Sequence, residues 1–177
     1  FYLIYPFFGT ASPVTFYSGP IVPVLAKIIE IFDVPFPYAA QIINCLFFLF
    51  FPISFYILIN KVTGRKLSGF LAVLFASLPI YPFAKTRIDF AFLGKDGPHI
   101  ASLTFVPLAI YGLLVFCREG KIKNLVFTSF FFSLVALTSP FGFFMLSVFA
   151  ILTCFSEMLI GSSRLKFARL LIILLGS

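Results

Sequence analysis

Positions 38–60 run from Tyr38 to Asn60 without one charged side chain, and the chain repeats this pattern several times, with short basic turns between the apolar runs. A helix rises 1.5 Å per residue, so about 20 apolar residues cross the hydrocarbon core of a bilayer. The first run is closed by Lys61-Val62-Thr63-Gly64-Arg65-Lys66, a glycine stop with a basic turn. A second span is expected over 67–83, where Pro79 and Pro82 kink it or end it early. A third, over 100–117, is closed by Arg118-Glu119-Gly120-Lys121-Ile122-Lys123. The next apolar run is about 48 Å long as a single helix, too long for one crossing. Thr138-Ser139-Pro140-Phe141-Gly142 divides it into arms over 124–138 and 141–157. These arms make a helical hairpin or, being short, a re-entrant pair buried in protein. A last span starts at 167 and is expected to be truncated at 177. The expected fold class is therefore all-α, a polytopic transmembrane helical bundle with about five spans plus a truncated sixth.

Composition excludes the soluble alternatives. Hydrophobic residues make up 61% of the chain and charged residues only 11%, against about 25% charged in soluble domains. The net charge of +7 does not point to nucleic acid, because the basic residues fall in the turns and form no continuous stripe. Cys45, Cys117 and Cys154 occur singly in or beside apolar runs, without metal-ligand spacing, and read as small hydrophobes. The chain opens on Phe1 and stops inside the apolar run Leu174-Leu175-Gly176-Ser177, as expected of a piece of a longer protein.

The distribution of Lys and Arg sets an orientation. Lys61, Arg65, Lys66, Arg118, Lys121, Lys123, Arg164, Lys166 and Arg169 fall on one side, against Lys27, Lys85, Arg87 and Lys95 on the other. The positive-inside rule then puts 61–66, 118–123 and 161–169 in the cytoplasm of a multi-pass cell-membrane protein, with 84–99 extracytoplasmic. Tyr5, Tyr17, Tyr38 and Tyr81 fall toward the outer face, where an interfacial aromatic belt belongs. Residues 1–37, broken by Gly9, Pro13, Gly19, Pro20, Pro23, Pro35 and Pro37, form an extracytoplasmic or interfacial leading segment. Within it 21–32 is expected to be a short interfacial helix. The helical domain occupies 38–177. This topology gathers three irregular pieces on the outer side: the leading segment, the loop 84–99 and the hairpin tip at Ser139-Pro140.

The loop 84–99 is the densest mixed-polar stretch, with the only histidine and two of the six acidic residues. A phosphate leaving group needs fixed cations where its charge develops, and Lys85, Arg87 and Lys95 are the candidates for substrate binding. Transfer to a hydroxyl needs a group that takes its proton, which makes Asp89, Asp96 and His99 the catalytic candidates. Two carboxylates with a histidine also match the ligands of Mg2+ or Mn2+, with Asp89 and Asp96 as the metal candidates. The plainer alternative is a solvated connector in which Asp96-Gly97-Pro98 makes a turn and His99 caps or packs beside the next helix.

The order of parts resembles the GT-C membrane glycosyltransferase superfamily, and within it the 6-pyruvoyl-tetrahydropterin-synthase-related or YfhO-like integral membrane proteins. The resembling stretches are Tyr17-Ser18-Gly19-Pro20-Ile21-Val22-Pro23-Val24-Leu25, Gly94-Lys95-Asp96-Gly97-Pro98-His99-Ile100-Ala101-Ser102, Phe105-Val106-Pro107-Leu108-Ala109 and Ala136-Leu137-Thr138-Ser139-Pro140. The resemblance implies a polyprenyl-phosphate-linked sugar donor and chemistry on the extracytoplasmic face, with membrane lipids as the surroundings. In that superfamily the catalytic acid usually lies in the first external loop, and this sequence is expected to begin beyond that point. A transporter or flippase is the alternative class, and a non-catalytic scaffold a third. Ion coupling would call for ionisable residues at mid-membrane depth, and the span interiors carry none.

Overall fold

The computed structural model describes residues 2–4, 11–13, 19–78, 88 and 97–160. A small antiparallel pair opens the chain, β1 (Tyr2–Ile4) against β2 (Ala11–Pro13), with Leu3 opposite Ser12. Everything larger is helical: α1 (Ile21–Glu30), α2 (Phe36–Thr63), α3 (Lys66–Ser77), α4 (Gly97–Glu119), α5 (Ile122–Thr138) and α6 (Pro140–Ile160).

Each helix boundary has a local cause. Pro35 and Pro37 flank the start of α2, where a missing backbone N–H costs nothing. Gly64 ends α2 in the left-handed conformation at φ 66°, its N–H donating to the Asn60 carbonyl at 2.9 Å. Leu78 is extended because Pro79 follows it, and α3 stops there. Ser139 separates α5 from α6: its backbone is extended, and its Oγ accepts from the Gly142 N–H at 3.2 Å while Pro140 occupies the first helical position. Pro52 lies within α2 and Pro107 within α4. Two residues beyond Pro52, Ser54 Oγ donates to the Phe51 carbonyl at 2.8 Å, so this buried hydroxyl is satisfied within its own helix.

Three of the described helices are long and apolar enough to cross a membrane: Phe36–Thr63, Gly97–Glu119 and Pro140–Glu157. The 12-residue α3 is about 18 Å long and the 17-residue α5 about 25 Å, both below a hydrocarbon core of about 30 Å. The described residues thus give a helical bundle suited to a membrane, with three helices of spanning length and two shorter apolar ones. The expected last span at 167–177 lies outside them.

Helix α4 is the axis of the bundle. In its most apolar stretch 67% of residues are buried, against 17% for α2 and 11% for α6. It packs on α2, α5 and α6, and the small residues Gly97, Ala101, Ser102, Ala109 and Gly112 bring those neighbours close. A Cβ at Gly112 would stand 2.7 Å from Thr128 Oγ1 on α5. Ala109, Val135 and Leu146 join α4, α5 and α6 in one buried cluster. On the α2 side, Thr104 Oγ1 donates to the Phe47 carbonyl at 2.8 Å, and Phe47 meets Phe105 edge-on with ring centroids 5.2 Å apart. An edge-on aromatic pair contributes about 0.5–1.5 kcal/mol beyond its buried area. By contrast, Leu49, Phe50 and Ile53 on α2 and Phe144, Ile151 and Leu152 on α6 are exposed. Such continuous apolar surface belongs in lipid rather than water.

The short helix α1 lies across one end of this bundle. Its buried Val22 and Ala26 face inward, Val22 joining Ile43 and Ala101, while the exposed Lys27 pairs with the half-buried Glu30 at 2.5 Å. The alternation of an apolar stripe with a charged pair suits an interfacial position.

Candidate functional site

The two ends of the bundle differ chemically. At one end the C-termini of α2, α4 and α6 meet the start of α5 through ion pairs. Arg118 reaches Glu157 at 2.8 Å, Lys121 reaches Glu119 at 3.0 Å and Lys61 reaches Glu119 at 3.8 Å. The basic turns at 61–66 and 118–123 therefore share one end, while that at 164–169 lies outside the described residues.

At the other end the leading segment, the start of α4 and the hairpin tip meet. Gly19 donates its N–H to the Thr138 carbonyl at 2.9 Å, and a Cβ on Gly19 would fall on the Leu137 carbonyl. Gly142, in the first turn of α6, packs against Ser102 of α4. The His99 ring lies 5.5 Å from that of Phe141 at a 44° tilt, and the His99 carbonyl accepts from Ser102 Oγ at 2.8 Å. Around these contacts Asn44, Ser102, Thr104, Thr138 and Ser139 are buried polar residues. Most are satisfied locally; Thr138 Oγ1, for example, donates to the Leu134 and Val135 carbonyls, each at 2.8 Å.

Asn44 is the exception. Its side chain is 5% exposed and its Oδ1 has no hydrogen-bond partner. The carboxamide lies against Gly97, the first residue of α4, where a Cβ would collide with it. Leaving a buried carboxamide oxygen unpaired costs about 1–3 kcal/mol. Asn44 carries no charge and stands in no motif, so the sequence alone does not single it out. The signal that marks it is an amide inside a charge-free run, since polar side chains in membrane helices are usually interhelical contacts.

Of the candidate site residues, only His99 lies among the described residues. It is half-buried in the first turn of α4, so it sits inside the helix start rather than ahead of it. Lys85, Arg87, Asp89, Lys95 and Asp96 lie outside the described residues. Among the described residues no group of three His, Cys, Asp or Glu side chains stands close enough to hold a metal ion. Asp89 and Asp96, the metal candidates, are not among those residues.

The cysteines, read singly in the sequence, include one spatial pair. Cys117 and Cys154 pack together with Leu113, whereas Cys45 stands apart on α2; none of the three is in a disulfide.

No protein-family model, curated protein or solved structure matches this chain.

Proposed function

We propose that this helical membrane protein forms part of a glycosyltransferase that uses a polyprenyl-phosphate-linked sugar donor at the extracytoplasmic face. One observation carries the reading: the leading segment, the His99 turn and the hairpin tip converge on a single buried polar patch at the end of the bundle away from the ion-paired turns. Under the positive-inside rule those basic turns are cytoplasmic and the polar patch is extracytoplasmic. A lipid-linked donor keeps its isoprenoid chain in the bilayer, so a polar site capping an apolar bundle suits such a molecule.

In the proposed reaction an acceptor hydroxyl oxygen bonds to the sugar's anomeric carbon as the carbon–oxygen bond to phosphate breaks. The polyprenyl phosphate departs with the bonding electrons. Lys85 and Arg87, with Lys95, would hold the charge that develops there. Asp89 or Asp96 takes the acceptor proton, and His99 is the remaining candidate base. Should Mg2+ or Mn2+ take part, Asp89 and Asp96 would hold it and it would neutralise phosphate charge; no step here depends on it.

The test is sugar transfer by the full-length protein carrying Lys85→Ala, Arg87→Ala, Asp89→Ala and Asp96→Ala, singly and together. Transfer is expected to be lost while membrane insertion persists. Unchanged turnover in the combined variant overturns the reading.

A further inference from the structure

Cys117 on α4 and Cys154 on α6 are 1% and 9% exposed and pack with Leu113 in one buried apolar cluster. Beside them, Arg118 donates from Nε and Nη2 to Glu157 Oε1 at 3.2 and 2.8 Å. Residues 154 and 157 are three apart on one helix and so lie on the same face. The charged clamp and the thiol pair therefore join the same two helices at the same level. The thiols cannot separate far without also disturbing the ion pair.

We propose that Cys117 and Cys154 are a dithiol–disulfide pair, oxidised by a small membrane-permeant disulfide to a covalent link between α4 and α6. Cys154 is the more exposed, so its thiolate attacks the small disulfide first, forming a mixed disulfide and releasing one small thiol. The Cys117 thiolate then attacks Cys154 Sγ and expels the second small thiol. The two protein thiols lose two protons and two electrons, and the small disulfide becomes two thiols. The link closes a loop that contains all of α5, which restricts the unfolded chain and so favours the folded bundle. In a reducing thiol pool the pair stands as the dithiol, and it closes only as that pool becomes oxidised.

The test uses the full chain in membrane vesicles treated to completion with 2-hydroxyethyl disulfide, then blocked with N-ethylmaleimide, digested and read by mass spectrometry. The expected product is one peptide pair joining Cys117 to Cys154, two hydrogens lighter than the sum of its parts and separated by reductant. Cys45 is expected in no protein crosslink. Recovery of Cys117 and Cys154 as alkylated thiols overturns the proposal, since a pair that no small oxidant reaches is not a redox pair. Recovery as two separate mixed disulfides also overturns it, because the resolving attack has then failed.

Discussion

The side-chain carboxamide of Asn44 occupies the space into which a β-carbon on Gly97 would project, so α2 and the first turn of α4 are in contact through a side chain and a bare α-carbon. Gly97→Ala is therefore expected to destabilise the bundle by about 1–3 kcal/mol, the usual cost of overpacking. Asn44→Ala removes the obstruction and the unpaired oxygen together, and the double variant should recover most of the loss. Unfolding titrations in mixed micelles of the two single variants and the double variant measure this coupling. Strict additivity would show that the two positions do not meet.

Gly19 faces a harder neighbour. A Cβ there would strike the Leu137 backbone carbonyl, which cannot rotate away as a side chain can, and the Gly19 N–H donates to Thr138 just beside it. Gly19→Ala should undo this junction between the leading segment and the hairpin tip. Gly64→Ala meets no neighbouring atom and should cost only about 1–2 kcal/mol, the penalty of the left-handed backbone. Limited proteolysis near position 19 distinguishes them: cleavage should accelerate in the first variant and not in the second.

Two threonines separate an interhelical hydrogen bond from a local one. Thr104 Oγ1 donates across to Phe47 on α2 and also to Ile100 at 3.1 Å, whereas Thr128 Oγ1 donates within α5 to Asn124 at 2.7 Å. Thr104→Val should cost about 0.6 kcal/mol, the average for such bonds in membrane helices. Thr128→Val should stay nearer to neutral, since the Asn124 carbonyl is not deprived of a partner from another helix. The comparison is again by unfolding in mixed micelles, and an equal cost for both would contradict it.

The orientation on which the functional proposal stands can be tested without substrate. In a Cys45→Ser, Cys117→Ser, Cys154→Ser background, single cysteines at Lys66 and Lys123 should react with a membrane-impermeant maleimide only after cytoplasmic access is opened. A cysteine at Lys95 should react in intact cells. The reverse pattern would invert the topology and place the polar patch in the cytoplasm.

Several features of the bundle were legible from local chemistry. Gly64 and Gly120 mark the ends of α2 and α4, at φ 66° and 69°, and each sits in a basic turn. Ser139-Pro140 marks the hairpin break because serine caps and proline begins helices. Asn44 was harder to read, since its importance depends on Gly97, which only folding brings alongside it. Cys117 and Cys154 likewise lack any revealing spacing and become a pair only where α4 crosses α6. Lys85, Arg87, Asp89, Lys95 and Asp96 remain candidates on their chemistry alone.

The sequence by itself determined that this is a helical membrane protein, because long charge-free runs can enter lipid only with every backbone polar group bonded within the helix. Which helix occupies the centre was decided by tertiary structure alone. In water, an apolar stripe tells a helix which face to bury; here lipid and protein interior are both apolar, and the outward faces of α2 and α6 are as hydrophobic as the buried faces of α4. Burial instead followed close packing at Gly97, Ala101, Ala109 and Gly112, where small residues let neighbouring helices approach. That complementarity belongs to pairs of surfaces, and no single run of the sequence contains it.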